Sequence, residues 1–219
     1  MVLGTVVAST SVQANENWYV AADVFKTELD AELVAELVAE SFAGSSKMGS
    51  STGVGIALGT EYQYSNGLSL AWEFEYIHFG TFTKSWMVQN PDFDKVKADI
   101  EAQSLNFNVK PKYYFSGSGF YLGAIAGVGV TKTDLKLTAV DLKLTTKSNN
   151  PSTGNQTTSD DDSDFGFNYG VEAGYEFTSG VVVSGGYRAS SLEIGVEGGG
   201  ELDLDFDSFY VGVEYHFGP

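Results

Sequence analysis

No cysteine occurs in the 219 residues, so this chain can build neither a disulfide framework nor a thiolate metal site. Histidine is nearly absent as well, with two residues, which restricts imidazole chemistry. Bases are scarce: twelve Lys and Arg stand against twenty-nine Asp and Glu, a formal charge of −17. A nucleic-acid surface needs a basic patch to neutralise phosphates, so no nucleic-acid partner is expected. Nor does any apolar run reach the roughly 18 to 20 residues of a transmembrane helix. A membrane β-barrel escapes that test, because alternation spreads its apolar residues along each strand.

What the sequence holds in abundance is glycine, with 26 residues, and aromatic side chains, with 15 Phe and 12 Tyr against four prolines. That balance favours strands and tight turns over helices. Period-two runs bounded by turn residues predict eight strands, at 17–26, 53–64, 68–82, 102–115, 119–132, 165–178, 181–192 and 204–217. Each is close to or above the roughly 9 to 11 residues that a tilted strand needs to cross a bilayer. Three connections are very short: Ser65-Asn66-Gly67, Ser116-Gly117-Ser118 and Thr178-Ser179-Gly180. The other four, 27–52, 83–101, 133–164 and 193–203, are long and polar.

Long and short connections alternate strictly. A soluble sandwich has no reason to keep every second connection short, whereas an up-and-down transmembrane barrel has short periplasmic turns at one rim and long external loops at the other. The expected fold is therefore an all-β, eight-stranded antiparallel barrel occupying one domain, residues 15–219. A soluble eight-stranded lipid-binding barrel is the rival. Residues 1–14 carry a short apolar run ending in Val12-Gln13-Ala14, a small-residue cleavage pattern without a basic n-region. They are expected to be the remnant of a truncated signal peptide, with an ordinary apolar first strand as the alternative.

The faces of the strands agree with the barrel. Strand three sets Leu68, Leu70, Trp72, Phe74 and Tyr76 against Ser69, Ala71, Glu73 and Glu75. Strand four sets Leu105, Phe107, Val109, Pro111, Tyr113 and Phe115 against Ser104, Asn106, Asn108, Lys110, Lys112 and Tyr114. The large side chains are too numerous for the interior of an eight-stranded barrel, so the small and charged set is expected to point inward and the apolar set outward to lipid. Aromatics gather near the short-turn rim, among them Trp18 or Tyr19, Tyr62, Tyr64, Tyr113, Phe115, Phe120, Tyr175 and Phe177, as an interfacial girdle does.

Laid out this way, the chain resembles the small eight-stranded outer-membrane barrels of Gram-negative bacteria, the group that includes the outer membrane protein A transmembrane domain and the opacity-type adhesins. The most specific element is the last strand. Phe209, Val211, Val213, Tyr215 and Phe217 match the alternating apolar pattern with a closing aromatic that this group uses as a signal to the barrel-assembly machinery, although Gly218 and Pro219 follow. The resemblance implies a Gram-negative outer-membrane location, contact with membrane lipid and lipopolysaccharide, a monomer, and no cofactor. It also implies a structural or adhesin-like role through the external loops, which would meet an external ligand.

Parity places Asp23, Glu61, Glu73, Glu75, Lys110, Lys112, Glu172, Glu176, Arg188, Glu214 and His216 inside. With Leu68 set opposite Phe115, Glu73 falls opposite Lys110; a slip of two residues would instead bring Lys110 to Glu75 or Lys112 to Glu73. Around the third short turn Arg188 lies diagonal to Glu172, within reach of a guanidinium. Two readings follow: a plug of ion pairs, or a narrow cation-preferring pore, since inward carboxylates exceed inward bases. Lipid-modifying catalysis is a minor third. Its only external candidate is the outward His78, which has no Ser two residues away, so no catalytic residue is assigned.

Loop three holds Ser159-Asp160-Asp161-Asp162-Ser163-Asp164, and loop four Glu193, Glu197, Glu201 and Asp203. Such oxygen density suits Ca²⁺ or Mg²⁺, but the spacing matches no ordered calcium loop, so solvated acidic loops are expected and no metal site is assigned. In loop one, Glu32-Leu33-Val34-Ala35 recurs as Glu36-Leu37-Val38-Ala39, a period that predicts a short amphipathic helix lidding the mouth.

Overall fold

Segments that are greasy on one face and polar on the other can each bury only one side, and eight of them satisfy their edges by closing on themselves. The computed structural model describes residues 15–31, 47–64, 66–87, 95–140, 156–196 and 200–217. Its elements are β1 (Asn15–Ala31), β2 (Lys47–Gln63), β3 (Leu68–Met87), β4 (Lys95–Tyr114), β5 (Phe120–Val140), β6 (Gln156–Glu176), β7 (Val181–Val196) and β8 (Gly200–Phe217). Consecutive strands pair antiparallel, and β8 returns to β1 to close the barrel, with Trp18 opposite Phe217. Three tight turns join the strands at one end. Gly67 (φ 81°) and Gly117 (φ 75°) adopt there the left-handed backbone that glycine alone takes without steric cost. The expected leader, residues 1–14, and the expected helix at 32–40 lie outside the described residues.

Nearer the turns, the barrel is greasy outside and polar inside. Val20, Ile56, Phe74, Leu105, Val130, Phe167 and Phe209 are among the exposed apolar side chains, and the band they form covers about 105–115 on β4 and 120–130 on β5. That is the roughly 9 to 11 residues of a bilayer-spanning strand. Trp18, Phe115, Phe120, Phe177 and Phe217 rim it as an exposed aromatic girdle, whereas Tyr19 turns inward and is fully buried.

Every strand continues past this band at the loop end, where the expected boundaries fell short. The acidic tract 159–164, expected in a loop, is part of β6, and Glu193, Glu201 and Asp203 lie in β7 and β8. In this extension the sidedness reverses. Lys26, Glu28, Thr83, Ser85, Lys132, Lys136 and Asp207 are exposed on the outer wall, while Phe25, Leu29, Met48, Ile77, Phe79, Phe82, Ile100, Leu192, Leu204 and Phe206 form one buried cluster inside. The expectation of a small and charged interior therefore holds only within the apolar band; beyond it water wets the outer wall, and burial of apolar groups moves to the interior. A bulge on β3 assists the change. Register slips between His78 and Gly80, leaving Phe79 extra, so Phe79 and Phe82 are both buried.

Two of the eight ladders stop early. The β2–β3 ladder ends at Val54↔His78 and the β6–β7 ladder at Gly166↔Leu192. The others run on, to Asp30↔Lys47, Ala31↔Leu204, Met87↔Lys95, Lys95↔Val140, Ala139↔Gln156 and Val196↔Gly200. Beyond its last pair β2 still runs beside β3, since a Cβ at Gly80 would lie 2.6 Å from Thr52 O and one at Gly49 3.7 Å from Thr83 O, so the eight strands form one closed barrel around the apolar cluster.

Candidate functional site: the lumenal charge network

Inside the apolar band the charged side chains converge, and all eight strands contribute to the assembly. Lys110 on β4 is the hub. Its Nζ lies 3.1 Å from Glu214 Oε1 on β8, 3.3 Å from Glu172 Oε2 on β6 and 3.4 Å from Glu73 Oε2 on β3. Lys112 Nζ sits 2.9 Å from Glu61 Oε2 on β2 and 3.3 Å from Glu214 Oε2. On β7, Arg188 donates through Nη1 to Glu75. Lys112 is 1% exposed and Lys110 4%, so these charges are stripped of water and each relies on its partners.

Neutral donors complete the shell. Tyr19 OH donates to Glu73 Oε2 at 2.9 Å, Tyr210 OH to Glu172 Oε2 at 2.7 Å and Tyr114 OH to Glu61 Oε1 at 3.1 Å. Asn108 Nδ2 bridges Glu75 Oε2 at 2.8 Å and Glu73 Oε1 at 3.1 Å. Ring faces take up part of the positive charge: Lys112 Nζ lies 4.9 Å from the Tyr121 centroid, and Arg188 sits over Tyr210 at 5.7 Å and Phe25 at 5.8 Å. His216 stacks on Tyr19 at 5.2 Å and places Nε2 3.3 Å from Glu214 Oε2.

Glycine makes this crowding possible. Tyr19, Tyr121 and Tyr210 each lie across the glycine directly opposite on the adjacent strand, Gly59, Gly174 and Gly186. A Cβ at Gly174 would meet the Tyr121 ring at 2.5 to 2.6 Å, and one at Gly186 the Tyr210 ring at 2.9 Å. On β5, Gly123 leaves room for Glu172 and Lys112, and Gly127 for Asn108 and Asn168.

Parity thus located the network, but the assumed register did not hold. Leu68 pairs with Tyr113 and not Phe115, so Glu73 faces Asn108 and Lys110 faces Ala71. Neither alternative slip occurs. Lys110 nonetheless reaches Glu73 diagonally, because a lysine side chain spans the offset. Arg188 does lie diagonal to Glu172, yet it crosses to Glu75 while Glu172 is taken by Lys110 and Tyr210. Glu176 sits half-buried beside the turn at 177–180, below the network. Asp23 points inward against Gly212 of β8, half-buried. His78 is half-exposed on the outer wall with Nδ1 4.0 Å from Glu101 Oε1. Phe209, Val211, Val213, Tyr215 and Phe217 all face outward, Phe209 at 69% exposure. No cluster of three or more His, Asp or Glu suited to a metal occurs among the described residues.

A closed antiparallel barrel with a lipid-width apolar exterior and charges hidden in its lumen is an integral membrane barrel. The chain belongs to the outer membrane protein β-barrel domain family, whose model matches residues 1–217, and so resides in the Gram-negative outer membrane. Similar solved structures include the Neisserial surface protein A, NspA, with a TM-score of 0.51 at 13% identity over 91% of this chain and 97% of that one. Another is the outer membrane protease OmpT from Escherichia coli, with a TM-score of 0.51 at 10% identity over 98% of this chain and 100% of that one. At such identities the likeness shows the fold alone. No curated protein matches this sequence.

Proposed function

We propose that this protein is a sealed barrel that works at the cell surface, offering the external ends of its strands and its loops to a partner outside the cell. The observation that carries this reading is the double obstruction of the lumen. A network bridging opposite walls through Lys110 fills the membrane-spanning part, and the apolar cluster around Phe79, Phe82 and Phe206 fills the part above. An ion moving inward through the extension meets a layer of buried apolar side chains before it reaches the network, and desolvating an ion there is costly. What remains accessible is the outer wall beyond the membrane.

A narrow cation-preferring pore is the second reading, favoured by the imbalance inside: Glu61, Glu73, Glu75, Glu172 and Glu214 against Lys110, Lys112 and Arg188. Recording from planar bilayers separates the two. The sealed barrel gives no stable unitary current, whereas a reproducible cation-selective conductance overturns it. The outward stripe from Phe209 to Phe217 serves in this reading as the signal to the barrel-assembly machinery, and the girdle and outer wall as the contact with lipid and lipopolysaccharide around a monomer.

A further inference from the structure

On the outer wall from β6 to β8 the apolar band does not end at one row. On β8 the lipid-facing stripe stops at Phe209 and the next outward residue is the exposed Asp207, whereas on β6 the outward residues stay aromatic past that row, through Tyr169, Phe167 and Phe165. Only β7 separates the two. Ala189 of β7 pairs with Tyr169 on one side and with Asp207 on the other, so an aromatic ring and a carboxylate flank one small residue. Tyr169 is 59% exposed, while Ala189, although it points outward, is 8% exposed because its larger neighbours overhang it. Tyr187 closes the corner. Its ring lies 5.5 Å from that of Phe209, tilted by 57°, and its OH donates to Asp207 Oδ1.

Ring faces and a carboxylate attract the same kind of group. A positively charged nitrogen gains from the ring quadrupoles and from the Asp207 charge, and an anion is repelled by both. On β1, Lys26 stands opposite Phe209 and Glu28 opposite Asp207, so this base is matched by an acid and Asp207 leaves the corner net negative. Position selects the rest of the ligand. A molecule that reaches Asp207 and also covers Phe209 and Tyr169 keeps its charged end in water and its apolar end in the bilayer, as a lipid with a cationic nitrogen in its headgroup does.

We propose that the corner formed by Tyr169, Tyr187, Phe209 and Asp207 binds the positively charged nitrogen of a membrane-lipid headgroup, with the hydrocarbon lying along Phe209 toward the exposed Val211. This adds a headgroup preference to the lipid contact in the reading above and rests on that contact alone, not on whether the lumen conducts. The whole protein, labelled on its alanine methyl groups and folded in non-ionic maltoside micelles, is titrated with dodecyltrimethylammonium while the Ala189 methyl resonance is followed by NMR. The expected result is a saturable shift of that resonance, absent with dodecyl sulfate. Asp207→Asn keeps an acceptor for Tyr187 but removes the charge, and Tyr187→Leu removes the ring. Each should weaken binding by about two- to fivefold, the scale of one exposed ion pair or cation–π contact, with heat-modifiable gel migration unchanged as the check on folding. The proposal is overturned if Ala189 does not respond, if dodecyl sulfate shifts it equally, or if neither variant weakens binding. Tetramethylammonium, which has no chain, overturns it too if it binds as tightly as the amphiphile, since the corner then serves soluble cations. Any of these failures leaves the sealed barrel, which bilayer recording tests, in place.

Discussion

Phe206 of β8 stacks on Phe79 of β3 with ring centroids 4.9 Å apart, and its edge meets Phe82 at 5.9 Å, although β1 and β2 lie between β8 and β3 in the barrel. These strands share no hydrogen-bond ladder, so the rings tie their walls together across the interior. Phe206→Ala should cost about 3 to 5 kcal/mol, the scale for deleting a buried aromatic ring. The loss falls on the extension: amides of 79–87 and 200–206 should exchange faster, while heat-modifiable gel migration, which reports the membrane-spanning ladder, persists. Unchanged exchange would show that the two walls do not depend on this contact.

The glycine opposite each inward tyrosine gives a second test. Gly174→Ala puts a methyl group into the Tyr121 ring, and overpacking of this kind costs about 1 to 3 kcal/mol. Removing the obstacle should recover most of that, so Gly174→Ala combined with Tyr121→Ala should lie above the sum of the two single losses. Urea unfolding of the four proteins measures the coupling. Simple additivity would mean the ring has room to swing aside.

Connection lengths and period-two alternation made the strand number, the antiparallel order and the inward side of Glu61, Glu73, Lys110, Lys112 and Glu214 legible in the sequence. Register was not legible. A shift by two residues preserves every face, so parity carries no information on whether Leu68 meets Tyr113 or Phe115. Partner choice was hidden for a related reason: Arg188 selects Glu75 across the lumen, a contact set by barrel curvature rather than by neighbouring strands. The reversal of sidedness beyond the membrane did leave a signal. Phe25, Leu29, Leu204 and Phe206 occupy inward parity, whereas the tract 159–164 is polar at every position, so no alternation marks it as part of a strand.

Above the apolar band, Asp99 of β4 accepts hydrogen bonds from Lys97 Nζ at 2.7 Å and Thr83 Oγ1 at 2.6 Å. These two donors, Lys97 first, hold its carboxyl below the ordinary carboxylate value. Because the folded value is lowered, the contribution is present above the unfolded value near 4 and is lost as pH falls through the folded one. Asp99 is close to solvent, so the effect is local. Carboxyl NMR titration should place the Asp99 midpoint below that of an exposed, unpaired aspartate, moving up in Lys97→Ala. A midpoint unmoved by Lys97→Ala would assign the shift to Thr83.

Lys110 binds three carboxylates at once, and this sets what its removal does. In Lys110→Ala, Glu73, Glu172 and Glu214 lose a common counter-charge at a buried position, and the barrel should lose about 3 to 5 kcal/mol, the scale for breaking a buried pair. Neutralising the carboxylates should return part of it. Glu172→Gln is the informative partner, because Lys110 is its only cation within 4.0 Å among the described pairs, whereas Glu214 retains Lys112. The double variant Lys110→Ala with Glu172→Gln should therefore be more stable than Lys110→Ala alone, read by urea unfolding and by the temperature at which gel migration changes. The same variants distinguish staple from gate. If Lys110→Ala keeps the parent's stability while bilayers begin to conduct, the lumen is hydrated and the network controls passage; if stability falls and the bilayer stays silent, Lys110 clamps a closed barrel beneath an intact apolar layer.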